Sequence, residues 1–134
     1  MSVIVRKKIY EIPTSSTGGG GGGGSTPYTV YDAIVTQTGT NAPVSTIFQN
    51  TLGFTPVWFR ASAGNYELRQ TGGFPVGKTA VFINMAYNNT FGGVYSLIYH
   101  PHLPDKVTIL TSNFIGSGTA IDDNTWWMNI RVYP

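Results

Sequence analysis

One hundred and thirty-four residues leave room for one domain with a single hydrophobic core, and only 10% of them are charged, against about 25% in an ordinary soluble domain. The net charge of +2 sits in the first 17 residues (Arg6, Lys7, Lys8 and Glu11), while residues 27–134 carry five basic and five acidic groups. This excludes the clustered Lys and Arg face of a nucleic-acid binder; the absence of cysteine excludes disulfides and thiolate-metal sites, and no apolar run approaches the ~18 residues of a membrane span.

Residues 1–13 read as an attachment peg. Val3 and Val5, then Tyr10 and Ile12, recur at period two, which favours an extended strand. The segment is too short to fold alone, so it is expected to order on a partner or on other copies, with a disordered tail as the plainer alternative. The expected anchoring residues are Val3, Val5, Arg6, Lys7, Lys8, Ile9, Tyr10 and Ile12. Arg6-Lys7-Lys8 reads equally well as a solvated charge run. Met1 to Lys8 has the charge of a signal peptide's start, but no apolar stretch follows. Release within a virus particle needs no such signal.

Residues 14–26 are a Gly/Ser/Thr-rich linker, with Gly18 to Gly24 unbroken. Glycine lacks a Cβ, so this is a flexible joint reaching about 25 Å at full stretch and about 15 Å as a coil. Extended glycine helices packed side by side are a second reading, but the Gly-X-Y period of collagen is absent.

Residues 27–134 form the domain. Eight segments rich in β-branched and aromatic residues predict strands beginning near Tyr28, Ser45, Pro56, Asn65, Thr79, Gly93, Lys106 and Trp126. Turn chemistry separates them: Gly39 to Pro43, Gly72-Gly73, Asn88-Asn89, Pro101 to Asp105, Gly116 to Gly118 and Asp122 to Asn124. The expected fold class is all-β, an antiparallel β-sandwich or jelly roll. Polarity comes from 9 Ser, 17 Thr, 9 Asn and 3 Gln rather than from charge. A weakly charged surface of this kind suits packing against copies of the same chain.

Neighbouring residues of a strand face opposite ways, so one of Trp126 and Trp127 enters the core and the other needs a cover. Val57-Trp58-Phe59 poses the same question. Trp58, Trp126, Trp127, Tyr95 and Tyr99 are therefore the expected oligomer or ligand surface, unless both faces are covered within the domain.

Motifs that carry chemistry are few. Gly72 to Thr79, GGFPVGKT, matches the phosphate-loop pattern, but a strand-like AVFINMAY follows where a helix is needed. The expected reading is a hairpin turn in which Gly72-Gly73 supply positive φ and Lys78 is a solvated strand start. His100-Pro101-His102 places two imidazoles on one face if extended, and a threefold assembly would offer six to an iron or zinc ion, as His-x-His sites do in trimeric phage tail-fibre tips. The ligand set is incomplete in one chain, so the pair reads as surface histidines in a Pro-rich turn and no metal is assigned. Asp122-Asp123-Asn124 has too few oxygens for calcium and reads as a turn. No nucleophile elbow and no placeable carboxylate pair is present. A non-enzyme without cofactors is expected.

The domain opening carries Tyr28, Tyr31, Ala33 and Gln37, then Gly39-Thr40-Asn41-Ala42-Pro43, then Asn50-Thr51-Leu52-Gly53, with Trp58 following. This pattern resembles a small β domain of phage and prophage proteins from the Bacteroides group, several of them fibre-like or virion-associated. The resemblance covers about 30 residues closely and supplies no catalytic residues. It implies a structural protein on the outer surface of a phage particle, a capsid head fibre or decoration protein, anchored on other virion proteins and displaying a homotrimeric β domain. The alternative is a tail-associated or displayed carbohydrate-binding module that holds a host glycan through Tyr95, Tyr99, Trp126 and Trp127 with Asn88 and Asn89. Neither reading involves nucleic acid or membrane insertion.

Overall fold

The computed structural model describes residues 27–84, 87–88, 95–113 and 120–134. The peg and the linker, with all eight expected anchoring residues, lie outside them. Each predicted strand segment contributes a strand: β1 (Thr29–Thr36), β2 (Val44–Asn50), β3 (Val57–Ser62), β4 (Asn65–Arg69), β5 (Thr79–Ile83), β6 (Tyr87–Asn88), β7 (Tyr95–Leu103), β8 (Lys106–Asn113) and β9 (Asn124–Val132). The segment read as one strand from Thr79 is two, β5 and the two-residue β6.

The strands form the expected antiparallel β-sandwich. One sheet has the order β2-β1-β9-β5, with β6 also on β9, and the other β3-β4-β8-β7. The β1–β2, β3–β4 and β7–β8 connections are hairpins within a sheet, and the chain crosses between sheets after β2, β4, β6 and β8.

The period-two pattern explains the packing. Tyr31, Ala33 and Val35 of β1, Tyr66 and Leu68 of β4, Val107 and Ile109 of β8, and Trp126, Met128 and Ile130 of β9 all point between the sheets and are buried. Phe74 joins them from the β4–β5 connection. Trp126 is central: its ring stands edge-on to Trp58 at 5.8 Å and stacks on Tyr66 at 5.5 Å. Edge and offset contacts of this kind suit the ring quadrupoles. Tyr31 Oη and the Trp58 indole N–H both donate to Ser45 Oγ, at 2.7 Å each, so both polar ends are satisfied. Burial pushes the Tyr31 phenol above its ordinary pKa, against the hydrogen bond with Ser45.

Two turn readings need correction. GGFPVGKT is not a hairpin turn, because it carries the chain from β4 in one sheet to β5 in the other. Positive φ is found at Gly72 and Gly77, not Gly73, where an added Cβ would strike the Gln70 and Phe54 side chains. The strand that follows, where a phosphate loop needs a helix, leaves that motif without its structural context. The Pro101 to Asp105 turn is shorter than expected: β7 runs to Leu103 through a register shift after His100, and only Pro104-Asp105 turn the chain into β8.

Candidate functional site

The two ends of the sandwich differ. β1 begins where β9 ends, so Pro27, Tyr28, Tyr133 and Pro134 line one hollow, with the Tyr28 and Tyr133 rings 5.3 Å apart. The described chain therefore begins and ends at this pole. β1 spans about 25 Å, and at its far end Gln37 enters the opposite pole.

The far pole is tied together by a polar network. Gln37 is 2% exposed. Its amide Nε2 donates to the Gly39 and Asn41 carbonyls at 2.6 and 3.0 Å, and its Oε1 accepts from the Asp123 N–H at 2.7 Å. Asp123, at φ +64°, accepts from the Gly39 N–H at 2.6 Å. Asp122 accepts from Arg60 on both oxygens, at 3.0 and 2.6 Å, and from Tyr66 Oη at 2.8 Å. Asn124 donates to Thr111 Oγ1 and to the Ile121 carbonyl. Gly64 closes the β3–β4 hairpin at φ +62°, and a Cβ there would strike the Thr111 carbonyl. These bonds hold the β1–β2 loop, the β3–β4 hairpin and the segment before β9 against one another.

The electrostatics follow from burial and pairing. Burial, helped by the neighbouring Asp122 charge, pushes the Tyr66 phenol up to about 12. Burial alone would raise Asp122, but hydrogen bonds from Arg60, Tyr66 and the Gly64 N–H outweigh it and hold the carboxyl below its ordinary value. Asp122-Asp123-Asn124 is thus more than a turn. It is the hub that fastens the far pole, a role that long-range bonds decide and local spacing does not reveal.

On the other sheet's outer face, Glu67 accepts from Lys106 at 2.6 Å and pairs with Arg69. Lys106 first, then Arg69, hold its carboxyl below the ordinary range. Arg69 also lies 4.2 Å over the Phe59 ring.

The expected surface tryptophans separate. Trp126 and Trp58 are corrected to core residues, at 1% and 8% exposure, because inward-facing positions of β9 and β3 point between the sheets. Trp127 faces outward at 38% exposure, beside Ile34 of β1, and its indole N–H donates to Asp32 Oδ1 at 2.6 Å. Phe82 of β5 is exposed on the same face. Arg131 of β9 lies 4.9 Å over Phe82 and 4.8 Å over Tyr28. Sequence reasoning missed Asp32, Phe82 and Arg131, since only the strand order β1-β9-β5 brings them beside Trp127.

Tyr95 pairs with Asn113 and Tyr99 with Ile109 along β7; their side chains, and those of His100, His102 and Asn88, lie outside the described residues, as does Asn89. Among the described residues no group of three or more His, Asp or Glu could hold a metal, and no helix is long and apolar enough to cross a membrane. Comparison with family models, curated proteins and solved structures finds no match to this chain.

Proposed function

We propose that the chain is a non-enzymatic bacteriophage virion protein, a capsid head fibre or decoration protein. Residues 1–13 dock on another virion protein, residues 14–26 give reach, and the sandwich projects from the particle's outer surface as a homotrimer. The observation that carries the reading is the polarity of the domain. The described chain begins at the Tyr28–Tyr133 pole, and the opposite pole is braced by the Gln37–Tyr66–Asp122 network. A module built this way presents a rigid end away from its tether. The neutral domain and the resemblance at Gly39 to Pro43 and Asn50 to Gly53 support the same reading.

The alternative, a tail-associated or displayed carbohydrate-binding module, draws support from the exposed Trp127 face. Two measurements separate the parts. Full-length protein is expected to bind particles that lack it, and a chain starting at Thr14 is not; equal binding by both would discard the peg. Light scattering is expected to give three copies, and a single copy would end the trimer.

A further inference from the structure

The three tryptophans of the chain have different positions: two are in the core, and the third stands on the central strand of an open sheet face. Folding gains little by exposing a tryptophan there, so the surroundings of Trp127 carry the information. The register sets them out. Trp127 lies beside Ile34, and the next outward position of β9, Asn129, lies between Asp32 and Phe82. Arg131 follows, donating to Asn129 Oδ1 at 3.1 Å while stacking on Phe82.

We infer that this face is a saccharide-binding site for a neutral glycan, with Trp127 as the stacking platform and Asp32 and Arg131 as the hydrogen-bonding groups, Arg131 being held in place by the buried Asn129. Three observations carry the assignment. Sugar rings present C–H faces rimmed by hydroxyls, and here a partly exposed indole adjoins a carboxylate and, one outward position further on, a guanidinium. The platform is held in advance: the Asp32 bond fixes the indole, so little side-chain freedom is lost on binding. The indole takes one bond, and a carboxylate accepts up to about four while a guanidinium has five donors, so capacity remains for hydroxyls.

Charge and area select the occupant. Asp32 and Arg131 offset one another on the face, and the domain as a whole is neutral, so an anionic polymer gains no attraction. Exposed apolar surface from Trp127, Phe82, Ile34 and Val44, which pairs with the outward Thr36, amounts to roughly 300–350 Å², taking about 150–250 Å² for a whole aromatic side chain. A stable contact with a second copy needs about 800 Å² per partner. The patch suits a few sugar rings better than a protein.

The site rests on the carbohydrate-binding reading of the domain and is independent of the peg. The test uses the full chain in affinity electrophoresis through gels containing dextran, mannan, galactan or xylan, with polygalacturonate as the anionic control. Retardation by at least one neutral polymer is expected, falling at least tenfold in apparent affinity in Trp127→Ala. In the unaltered protein, titration with the matching oligosaccharide should shift one of the three indole N–H signals, that of Trp127. No retardation in any neutral gel, retention by Trp127→Ala, or movement of the Trp58 or Trp126 signal alone overturns the site. A fall in solution mass on Trp127→Ala also overturns it, by making the face an interface between copies. Binding of the full chain to particles, measured beside these, reports on the peg and does not depend on their outcome.

Discussion

A single side chain, Gln37, holds three separate pieces of the far pole. It bonds two carbonyls of its own loop and the backbone N–H of Asp123, and it lies 3.2 Å from Tyr66 Oη. Removing it takes a partner from the half-buried Asp123 N–H and from the carbonyls of two exposed residues, Gly39 and Asn41, which water can reach, and leaves the space of a buried side chain empty. Gln37→Ala is therefore expected to cost about 2 kcal/mol by urea denaturation, and a cost under about 0.5 kcal/mol would show that the network carries little. Proton linkage gives a second check. Asp122 and Glu67 have lowered pKa values, so their stabilisation is complete above the unfolded carboxylate range and fades as pH falls through the folded values. The melting temperature should drop below about pH 4, and less steeply in Asp122→Asn. Tyr66 acts at the other limb. Its pKa is raised, so stability is full below the ordinary phenol pKa of about 10 and is lost as pH rises towards about 12. Tyr66→Phe should flatten that alkaline loss.

β9 shows how one strand serves two surfaces. Trp126 and Trp127 are adjacent, yet one is the centre of the core and the other lies on the outer face. Trp126→Ala is expected to cost about 3–5 kcal/mol, through lost burial and a cavity that the sheets cannot close. Trp127→Ala should cost under about 1 kcal/mol, since it removes one exposed ring. Equal costs would contradict the facing of the strand. β2 is the other informative element. It is an edge strand without a charged residue, and its Val44, Ile47 and Phe48 are exposed. Phe48 is the additional residue where the β1–β2 register shifts. Such an edge is a template for pairing with other chains. Phe48→Lys is expected to change stability by less than about 0.5 kcal/mol while slowing aggregation at high concentration; unaltered aggregation would place the sticky surface elsewhere.

At the scale of the whole molecule, the core formed by the described residues from Pro27 onward lies between their own two sheets. A chain beginning at Pro27 should then unfold at the same urea midpoint as the full chain, and a clear drop would give the first 26 residues a part in stability. The division of the chain has a functional consequence under the display reading. Attachment, reach and recognition fall to successive segments, so changes in one leave the others intact. A neutral domain also allows several copies to stand close together without mutual repulsion.

The strands, the two-layer class and the glycine at Gly53, which has φ +85°, were legible from local pattern. Alternation and β-branching act over a few residues, and a strand's preference for a pleated, half-buried surface is written within its own length. Trp126 and Trp127 were legible as a pair facing opposite ways, but not which of them faces inward. That depends on β9 lying between β1 and β5, a pairing across about 95 residues for Trp127 and Asp32. The route of GGFPVGKT between sheets, the bracing role of Asp122 and Asp123, and the company of Trp127 on the outer face were likewise decided only by tertiary structure. Each joins residues far apart in the chain, and local propensity has no term for the sheet order that brings them together.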